Sequence, residues 1–167
     1  SLSSYGKLQG VNTSMLEAVD LVNTNRVERL LGTLVETIGE VAGLRLAVWG
    51  LSFKPGTDDV AEAPSLRLVP ALLGQGATVC VYDPEAIPTF MASIRAESDN
   101  LQACSTGVEA ISGADALLVL TDWVEFIDFD VELLKSSMKS PVILDGRNCL
   151  DGLKLKQYGF TYKGLGV

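Results

Sequence analysis

The chain has 167 residues, of which 47% are hydrophobic and 20% charged, and its formal net charge is −8 at pH 7. This length and composition suit one globular domain with an appended element and exclude a disordered chain. Because 21 acidic residues outnumber 13 scattered basic ones, neither nucleic acid nor an anionic membrane surface is an expected partner. No apolar run reaches the roughly 20 residues of a membrane-spanning helix.

The residue types also exclude several kinds of chemistry. Histidine is absent, which excludes imidazole bases, Ser-His triads and histidine metal sites, and we expect no metal. Cys80, Cys104 and Cys149 lack Cys-x-x-Cys spacing, so we expect buried free thiols in a reducing cytoplasm. The start, SLSSYGKLQG, has neither an initiator Met nor a signal-peptide pattern, so we expect a piece of a longer protein.

A long helix is predicted near the start of the chain. Ser14-Met-Leu-Glu17 is a capping box, and apolar residues then recur at three- and four-residue spacing up to Ile38. Termination at Gly39 or Gly43 gives roughly 25 residues, about twice the usual helix length. Such a helix usually spans domains or packs on a partner's copy, which we favour over a core helix of a single domain.

Strands and helices alternate after this helix. The predicted strands, in chain order, are LRLAVWGL, ATVCVYD, LQACS, ADALLVLT, SPVILDG and FTYKGLGV. The helices between them use Pro64 in a first turn, begin near Pro84, are capped by Ser105 or Thr106, and cover FDVELLKSSM and GLKLKQYG. This alternation predicts an α/β fold, a Rossmann-like doubly wound parallel sheet with right-handed crossovers and a long helix in front.

Ligands of open parallel sheets bind beyond the carboxyl ends of the strands. Three segments that leave predicted strands at this edge carry polar residues: 53–59, 121–126 and 145–148. In the first, Lys54 occupies a strand-to-helix turn where it is well placed for a phosphate, and Pro55 and Gly56 would hold it there. An ordinary turn with a solvated lysine is an equally good interpretation.

Other charged residues of these segments have two interpretations each. Asp58 and Asp59 would repel a phosphate unless they face away, so we expect them to accept backbone hydrogen bonds within the loop. Arg147 suits bidentate contact with a phosphate or a nucleobase edge. It could equally form a surface salt bridge with Asp145 or Asp151.

Aromatic residues and a strand-end aspartate leave further alternatives open. Trp123 and Phe126 could cover a flat ligand, but aromatic residues after a buried strand more often complete the core. Asp83 ends the second strand, where a dinucleotide-binding fold holds the adenosine ribose. Against an NAD site on this domain, the first turn, Gly50-x5-Gly56, lacks the glycine that admits a pyrophosphate. Asp83 before a proline is also simply a good helix start.

Four motifs in order, GLSFKPGTDDVAEAPSL, VYDPEA, TDWVEF and ILDGRN, together resemble the C-terminal domain of the UDP-glucose/GDP-mannose dehydrogenase family. MLEAVDLVNTNR resembles the long central helix of that family. The pattern departs at VAEAP, where members commonly have Arg-Glu-Ser-Pro and this chain has Ala61 and Ala63. The resemblance implies that residues 1–43 end a central helical region carrying a dimerisation helix, and that residues 44–167 form a UDP-sugar-binding domain.

The resemblance also implies a division of labour in the full enzyme. The sugar C6 alcohol is oxidised to a carboxylate by two NAD⁺, through a cysteine thiohemiacetal and thioester. That cysteine belongs to a motif absent here, and NAD is bound mainly by an N-terminal domain also absent from this chain, so we expect neither a catalytic residue nor a cofactor. Phe53 and Lys54 would lie beside the substrate pyrophosphate and sugar, and Arg147 beside the UDP. The expected partners are a UDP-sugar and a second copy, joined through the central helix.

Two alternatives remain open at this point. The enzyme could oxidise another nucleotide sugar, such as GDP-mannose or a UDP-N-acetylhexosamine. The chain could also be a dimerisation module that has no ligand affinity of its own. In either case we expect it to be inactive by itself.

Overall fold

The computed structural model describes residues 14–94 and 98–165, with side chains described from residue 25 onward. Its six strands are β1 (Arg45–Trp49), β2 (Thr78–Tyr82), β3 (Leu101–Ala103), β4 (Ala116–Val119), β5 (Val142–Asp145) and β6 (Thr161–Gly164). They form one parallel sheet in the order β3-β2-β1-β4-β5-β6. This is the doubly wound order of dinucleotide-binding folds, so the predicted Rossmann-like sheet is confirmed.

Helices connect the strands within the described ranges. They are α1 (Ser14–Ile38), α2 (Ser65–Gly74), α3 (Ile87–Ser93), α4 (Gly107–Ile111), α5 (Val124–Ile127), α6 (Val131–Ser137) and α7 (Gly152–Gln157). Thr106, one of the two predicted caps, accepts a hydrogen bond from the Glu109 amide at the start of α4. The short helix α5 was not predicted, because its four residues span little more than one helical turn and show no periodicity.

The sheet buries apolar residues on both faces, as expected for parallel strands. Alternate residues of β1 point to opposite sides: Leu46 and Val48 join the core beneath α1 and α2, whereas Ala47 and Trp49 join the core beneath α4, α5 and α6. Each fully buried Leu or Val side chain contributes about 1.5–3 kcal/mol to folding. The two faces therefore fix the register of β1, which carries the first candidate loop.

Helix α1 has the predicted length, 25 residues. It ends where Gly39 adopts a φ of 79° and donates its N–H to Val35 O at 2.8 Å, a left-handed helix end that glycine favours. Val27, Leu30 and Leu34 of this helix are buried in the same core as β1, so its C-terminal half packs on the sheet. The predicted capping box lies outside the residues whose side chains are described, and the division into residues 1–43 and 44–167 stays a prediction.

The order of the strands reverses between β1 and β4, which lie side by side in the sheet. Gly50 follows β1 with a φ of 99°, and a Cβ atom built there would lie 2.5 Å from the backbone nitrogen of Thr121, which follows β4. No side chain fits at that separation. The segments that follow these two strands are therefore in direct contact at the point where such folds bind ligands.

Replacement of Gly50 by alanine should destabilise the fold by about 2–5 kcal/mol, because it adds a clash to a left-handed backbone. Gly56 is the matched control, since its φ is 83° but an added Cβ would meet nothing within 4 Å. We expect Gly56→Ala to lower the free energy of unfolding by about 1–2 kcal/mol, the cost of a left-handed backbone at alanine without a clash. Urea unfolding measures both losses, and equal losses would contradict the proposed close approach.

Candidate functional site

The three segments predicted to share one edge of the sheet are joined by direct contacts. The Thr121 hydroxyl, after β4, donates to the carbonyl oxygen of Ser52, after β1, at 2.7 Å. The next residue, Asp122, lies 3.2 Å from the guanidinium of Arg147, after β5. The loops after β1, β4 and β5 thus form one continuous surface at the carboxyl ends of the strands.

The carboxylate of Asp83, at the end of β2, ties these loops to the sheet. Its Oδ2 accepts from four donors of the loops after β1 and β4: Leu51 N (2.8 Å), Ser52 N (3.0 Å), Ser52 Oγ (3.0 Å) and Trp123 Nε1 (3.1 Å). Its Oδ1 accepts the N–H groups two and three residues further along the chain, at 2.9 Å each. One side chain therefore fixes the beginnings of two loops and of the segment that leads to α3.

This arrangement keeps Asp83 ionised although only 2% of it is exposed. Burial by itself would raise its pKa, but the hydrogen bonds from backbone N–H groups outweigh burial, and the pKa is lowered. With both oxygens occupied by protein donors, the carboxylate is not available to a ribose hydroxyl. The structure therefore does not support a ribose-binding role for Asp83. Its Oδ1 instead accepts the N–H groups that precede α3, as the helix-start interpretation predicts.

The loop from Phe53 to Asp59 is closed by its own backbone. The Phe53 N–H donates to the Asp59 carbonyl oxygen at 2.8 Å, and Gly56 has a φ of 83°, as the predicted unusual turn requires. Asp59 accepts the backbone N–H two residues on, at 2.9 Å, which confirms its predicted role. Asp58 instead accepts from the Thr89 hydroxyl at 3.5 Å, so the prediction of a backbone partner is wrong for this residue.

Phe53 and Lys54 project from this closed loop. Phe53 is 44% exposed and Lys54 is exposed, and no described residue forms a hydrogen bond or ion pair with the lysine ammonium. Helix α2 begins only at Ser65, so Lys54 lies in a long connection. The connection runs from strand to helix as predicted, with Pro64 directly before the helix, and the chain forms the closed loop within it.

Arg147 is placed by a second buried carboxylate. Asp145, at the end of β5, is fully buried and accepts the Arg147 N–H at 3.1 Å, the Leu150 N–H at 2.8 Å and the Tyr162 hydroxyl at 2.7 Å. The sequence allowed a salt bridge between Arg147 and Asp145. The structure does not form it, because Asp145 already accepts hydrogen bonds from these donors. The Asp151 carboxylate accepts the Lys154 N–H at the start of α7.

The ion pair of Arg147 is with Asp122 instead. The side chains are 26% and 38% exposed, respectively, and Arg147 Nη2 lies 3.2 Å from Asp122 Oδ1. The two residues are far apart in the sequence, so only the pairing of β4 with β5 brings them together. The sequence signal that could have indicated Asp122 is its position directly after a continuous apolar strand.

Trp123 and Phe126 complete the core and do not form a platform for a flat ligand. Phe126 is buried and stacks on Trp49 with ring centroids 4.9 Å apart and an interplanar angle of 15°. Trp123 is partly buried, and its indole N–H donates to Asp83 and to the Ser52 hydroxyl. Of the two interpretations from the sequence, completion of the core is therefore the one that the structure supports for Trp123 and Phe126.

The cysteines are free thiols, and none is activated. Burial raises the pKa of Cys80, raises that of Cys104 to about 11, and, with Asp145 adding to the effect, raises that of Cys149 to about 12. Nucleophilic cysteines have lowered pKa values instead. Among the described residues, no group of cysteine, aspartate and glutamate side chains could hold a metal ion, and no helix is long and apolar enough to cross a membrane.

Comparison with known proteins assigns the segment that contains these loops to a family. Residues 47–152 match the UDP binding domain of the UDP-glucose/GDP-mannose dehydrogenase family. The chain belongs to this family. The matched residues include all three loops of the candidate site.

Individual relatives agree with this assignment. UDP-glucose 6-dehydrogenase of Pseudomonas aeruginosa is 39% identical over 165 residues, which cover 95% of this chain and 36% of that protein. UDP-glucose 6-dehydrogenase TuaD of Bacillus subtilis is 34% identical over 99% of this chain and 35% of its own length. A solved UDP-glucose dehydrogenase from Pyrobaculum islandicum superposes with a TM-score of 0.73 at 26% identity, over 96% of this chain and 34% of that one. The chain thus spans about a third of the length of the relatives it matches.

Replacement of Asp83 by asparagine should cost about 3–5 kcal/mol at pH 7, because an amide NH₂ would face donors that now meet an oxygen. The loss should also depend on pH. The Asp83 carboxyl has a lowered pKa in the folded state. Its contribution to the free energy of unfolding is therefore complete above the pKa of the unfolded chain, about 4. It disappears as the pH falls through the pKa of the folded state.

Urea unfolding of both proteins between pH 3 and pH 7 measures this dependence. The stability difference between wild type and Asp83→Asn should shrink as the pH falls below about 4. Asp128, which is exposed, provides a matched control, and Asp128→Asn should leave the wild-type curve unchanged. A difference that stays constant with pH would contradict the role assigned to the Asp83 charge.

Proposed function

We propose that this chain is the nucleotide-sugar-binding part of an NAD-dependent UDP-glucose 6-dehydrogenase, which oxidises UDP-glucose to UDP-glucuronate with two NAD⁺. The family assignment and the names of the relatives that are 34–39% identical support this proposal. NAD and the nucleophilic cysteine belong, in this proposal, to the part of the enzyme outside this chain. The raised pKa values of the three thiols support that division.

In this proposal Phe53 and Lys54 lie beside the pyrophosphate and sugar of the substrate, and Arg147 lies beside the UDP. The observation that carries it is the placement of two cations, Lys54 after β1 and Arg147 after β5, on loops that meet through Thr121 and Asp122 after β4. In a chain of net charge −8, a diphosphate needs such local donors. Lys54 supplies an exposed ammonium with no ion pair among the described residues, and Arg147 supplies a planar guanidinium.

The proposed partner of the chain is a second copy, bound through α1. A groove of about 840 Å³ runs between α1 and the edge strand β6, and Arg29, Gly32, Thr33 and Glu36 line its helical side. Arg29 and Glu36 lie about two turns apart on one helix face. A two-fold axis between residues 32 and 33 would pair each Arg29 with the partner's Glu36 and would place Gly32 at the crossing, where helices approach most closely.

We place the protein in the cytoplasm. The free thiols of Cys80, Cys104 and Cys149 support this location, because thiols stay reduced there.

Lys54→Ala should weaken UDP binding by roughly tenfold or more, because a charged group that contacts a phosphate contributes about 1.5–3 kcal/mol. Isothermal titration of the wild-type chain and the variant with UDP measures this loss. Lys139→Ala is the matched control, since Lys139 lies before β5, at the opposite ends of the strands, and pairs with Asp115 at 3.9 Å. Equal affinities in all three proteins would contradict the role of Lys54.

A parallel thermal titration with UDP, GDP and NAD⁺ tests the substrate class, since a ligand that binds only the folded chain raises its melting temperature. We expect a shift with UDP. A shift with GDP alone would favour a guanosine-linked sugar such as GDP-mannose, and one with NAD⁺ alone would overturn the assignment of this domain. No shift at millimolar concentrations would leave dimerisation as the main role of the chain.

Gly32→Leu should convert a dimer into a monomer without loss of stability. An added Cβ at Gly32 meets nothing within 4 Å in a single chain, and leucine favours helix more than glycine does, but the side chain would block a close helix crossing. Gly74→Leu is the matched control, because Gly74 is helical and equally open. Sedimentation at micromolar concentration reports the mass, and a wild-type monomer or a dimeric Gly32→Leu variant would contradict this interface.

A further inference from the structure

We propose that Asp122 is a positioning residue that holds the Arg147 guanidinium toward the nucleotide and stays paired with it when the ligand binds. The inference rests on the proposed function, because it concerns the same site. It adds a residue that the sequence did not indicate and assigns it one action: it sets the direction of the N–H groups that Arg147 offers to a diphosphate or to a nucleobase edge.

The backbone of Asp122 is fixed from both sides. The preceding residue, Thr121, donates its hydroxyl to Ser52 O at 2.7 Å. The following residue, Trp123, donates its indole N–H to the buried carboxylate of Asp83 at 3.1 Å. Because both neighbours are held, the Asp122 carboxylate is presented at a set place on the edge of the sheet with little further loss of conformational entropy.

Arg147 is fixed independently. Its N–H donates to Asp145 Oδ1 at 3.1 Å, and Asp145 is itself fully buried and accepts the Tyr162 hydroxyl at 2.7 Å. The two partners of the ion pair thus stand on loops that are anchored separately, one through Asp83 and the other through Asp145. Because both backbones are held, only side-chain rotations remain to be ordered, so this ion pair loses less conformational entropy than most surface pairs.

The Asp122 oxygen in this pair has no alternative partner. Oδ1 is inaccessible to solvent and accepts no hydrogen bond from any described residue, although Arg147 Nη2 lies 3.2 Å away. The contact is therefore one between charges, with the N–H bonds not aimed at the oxygen. If Arg147 left, it would strand a buried carboxylate oxygen, which is strongly unfavourable. An arriving diphosphate therefore does not displace Asp122.

The rest of the guanidinium remains for the ligand. Arginine carries five N–H donors, and no described residue accepts a hydrogen bond from Nε or Nη1 of Arg147. Its side chain is 26% exposed, so part of it can be reached from solvent. With Nη2 beside Asp122, the N–H groups of Nε and Nη1 remain for single hydrogen bonds to a phosphate or a nucleobase edge.

Removal of Asp122 changes the affinity for UDP in opposite directions under the two possible roles. If Asp122 merely competed with an anionic ligand for Arg147, its removal would raise the affinity for UDP. If Asp122 positions Arg147, its removal lowers that affinity, since the arginine must then be ordered by the ligand.

Isothermal titration of the 167-residue chain with UDP separates these roles. We expect Asp122→Ala to bind UDP roughly tenfold more weakly than wild type, by analogy with the loss when a group that orients a ligating residue is removed. Asp122→Asn keeps an acceptor of the same shape and should fall in between. Asp128→Asn removes one negative charge directly after α5 and should bind like wild type. Tighter or unchanged binding by both Asp122 variants would overturn the proposal.

A double-mutant cycle with Arg147→Ala shows whether Asp122 acts through the arginine. In the Arg147→Ala background, the further change Asp122→Ala should leave the UDP affinity unchanged. An equal loss in both backgrounds would overturn the proposal. Melting temperatures identify variants that do not fold, and if Asp122→Ala is among them, the isosteric Asp122→Asn decides. Failure of the wild-type chain to bind UDP contradicts the proposed function as well, whereas wild-type binding with unaffected Asp122 variants contradicts this inference alone.

Discussion

The buried Asp83 carboxylate is the interaction on which the candidate site depends. Six hydrogen bonds reach its two oxygens, from the loops after β1 and β4 and from the segment before α3. A buried charge is unfavourable unless donors surround it, so this carboxylate holds those three segments in one arrangement. Where the related dinucleotide-binding folds use the end of the second strand to hold a ribose, this chain uses it to hold its own loops.

A second carboxylate repeats this arrangement on the other side of the crevice. Asp145 anchors the loop after β5 through two backbone N–H groups and the Tyr162 hydroxyl. The buried acids hold the frame, while Lys54 and Arg147 extend from it. A strongly acidic chain can thereby carry cations on the loops at this edge of the sheet, because Asp83 and Asp145 face protein donors.

The sequence predicted the sheet because buried strands are continuous apolar runs and the connecting segments carry caps and glycines at the right spacing. It also indicated Lys54 and Arg147, since exposed cations after strand ends are few. It did not identify the role of Asp83, because an aspartate at the end of β2 suits a ribose, a helix start or a loop anchor equally well. Nor did it identify Asp122 as the partner of Arg147, because Asp145 and Asp151 lie nearer in the chain. Only the structure shows that these two acids already accept backbone N–H groups.

The sequence by itself determined the order and type of the elements except α5, and it predicted a sheet edge and residues that could meet a diphosphate. These properties follow from local periodicity and turn chemistry. Only the tertiary structure decided which charges are used internally and which remain for a ligand. Hydrogen-bond saturation of Asp83 and the contact of Asp122 with Arg147 depend on strands that are neighbours in the sheet but distant in the chain, and no local pattern encodes that proximity.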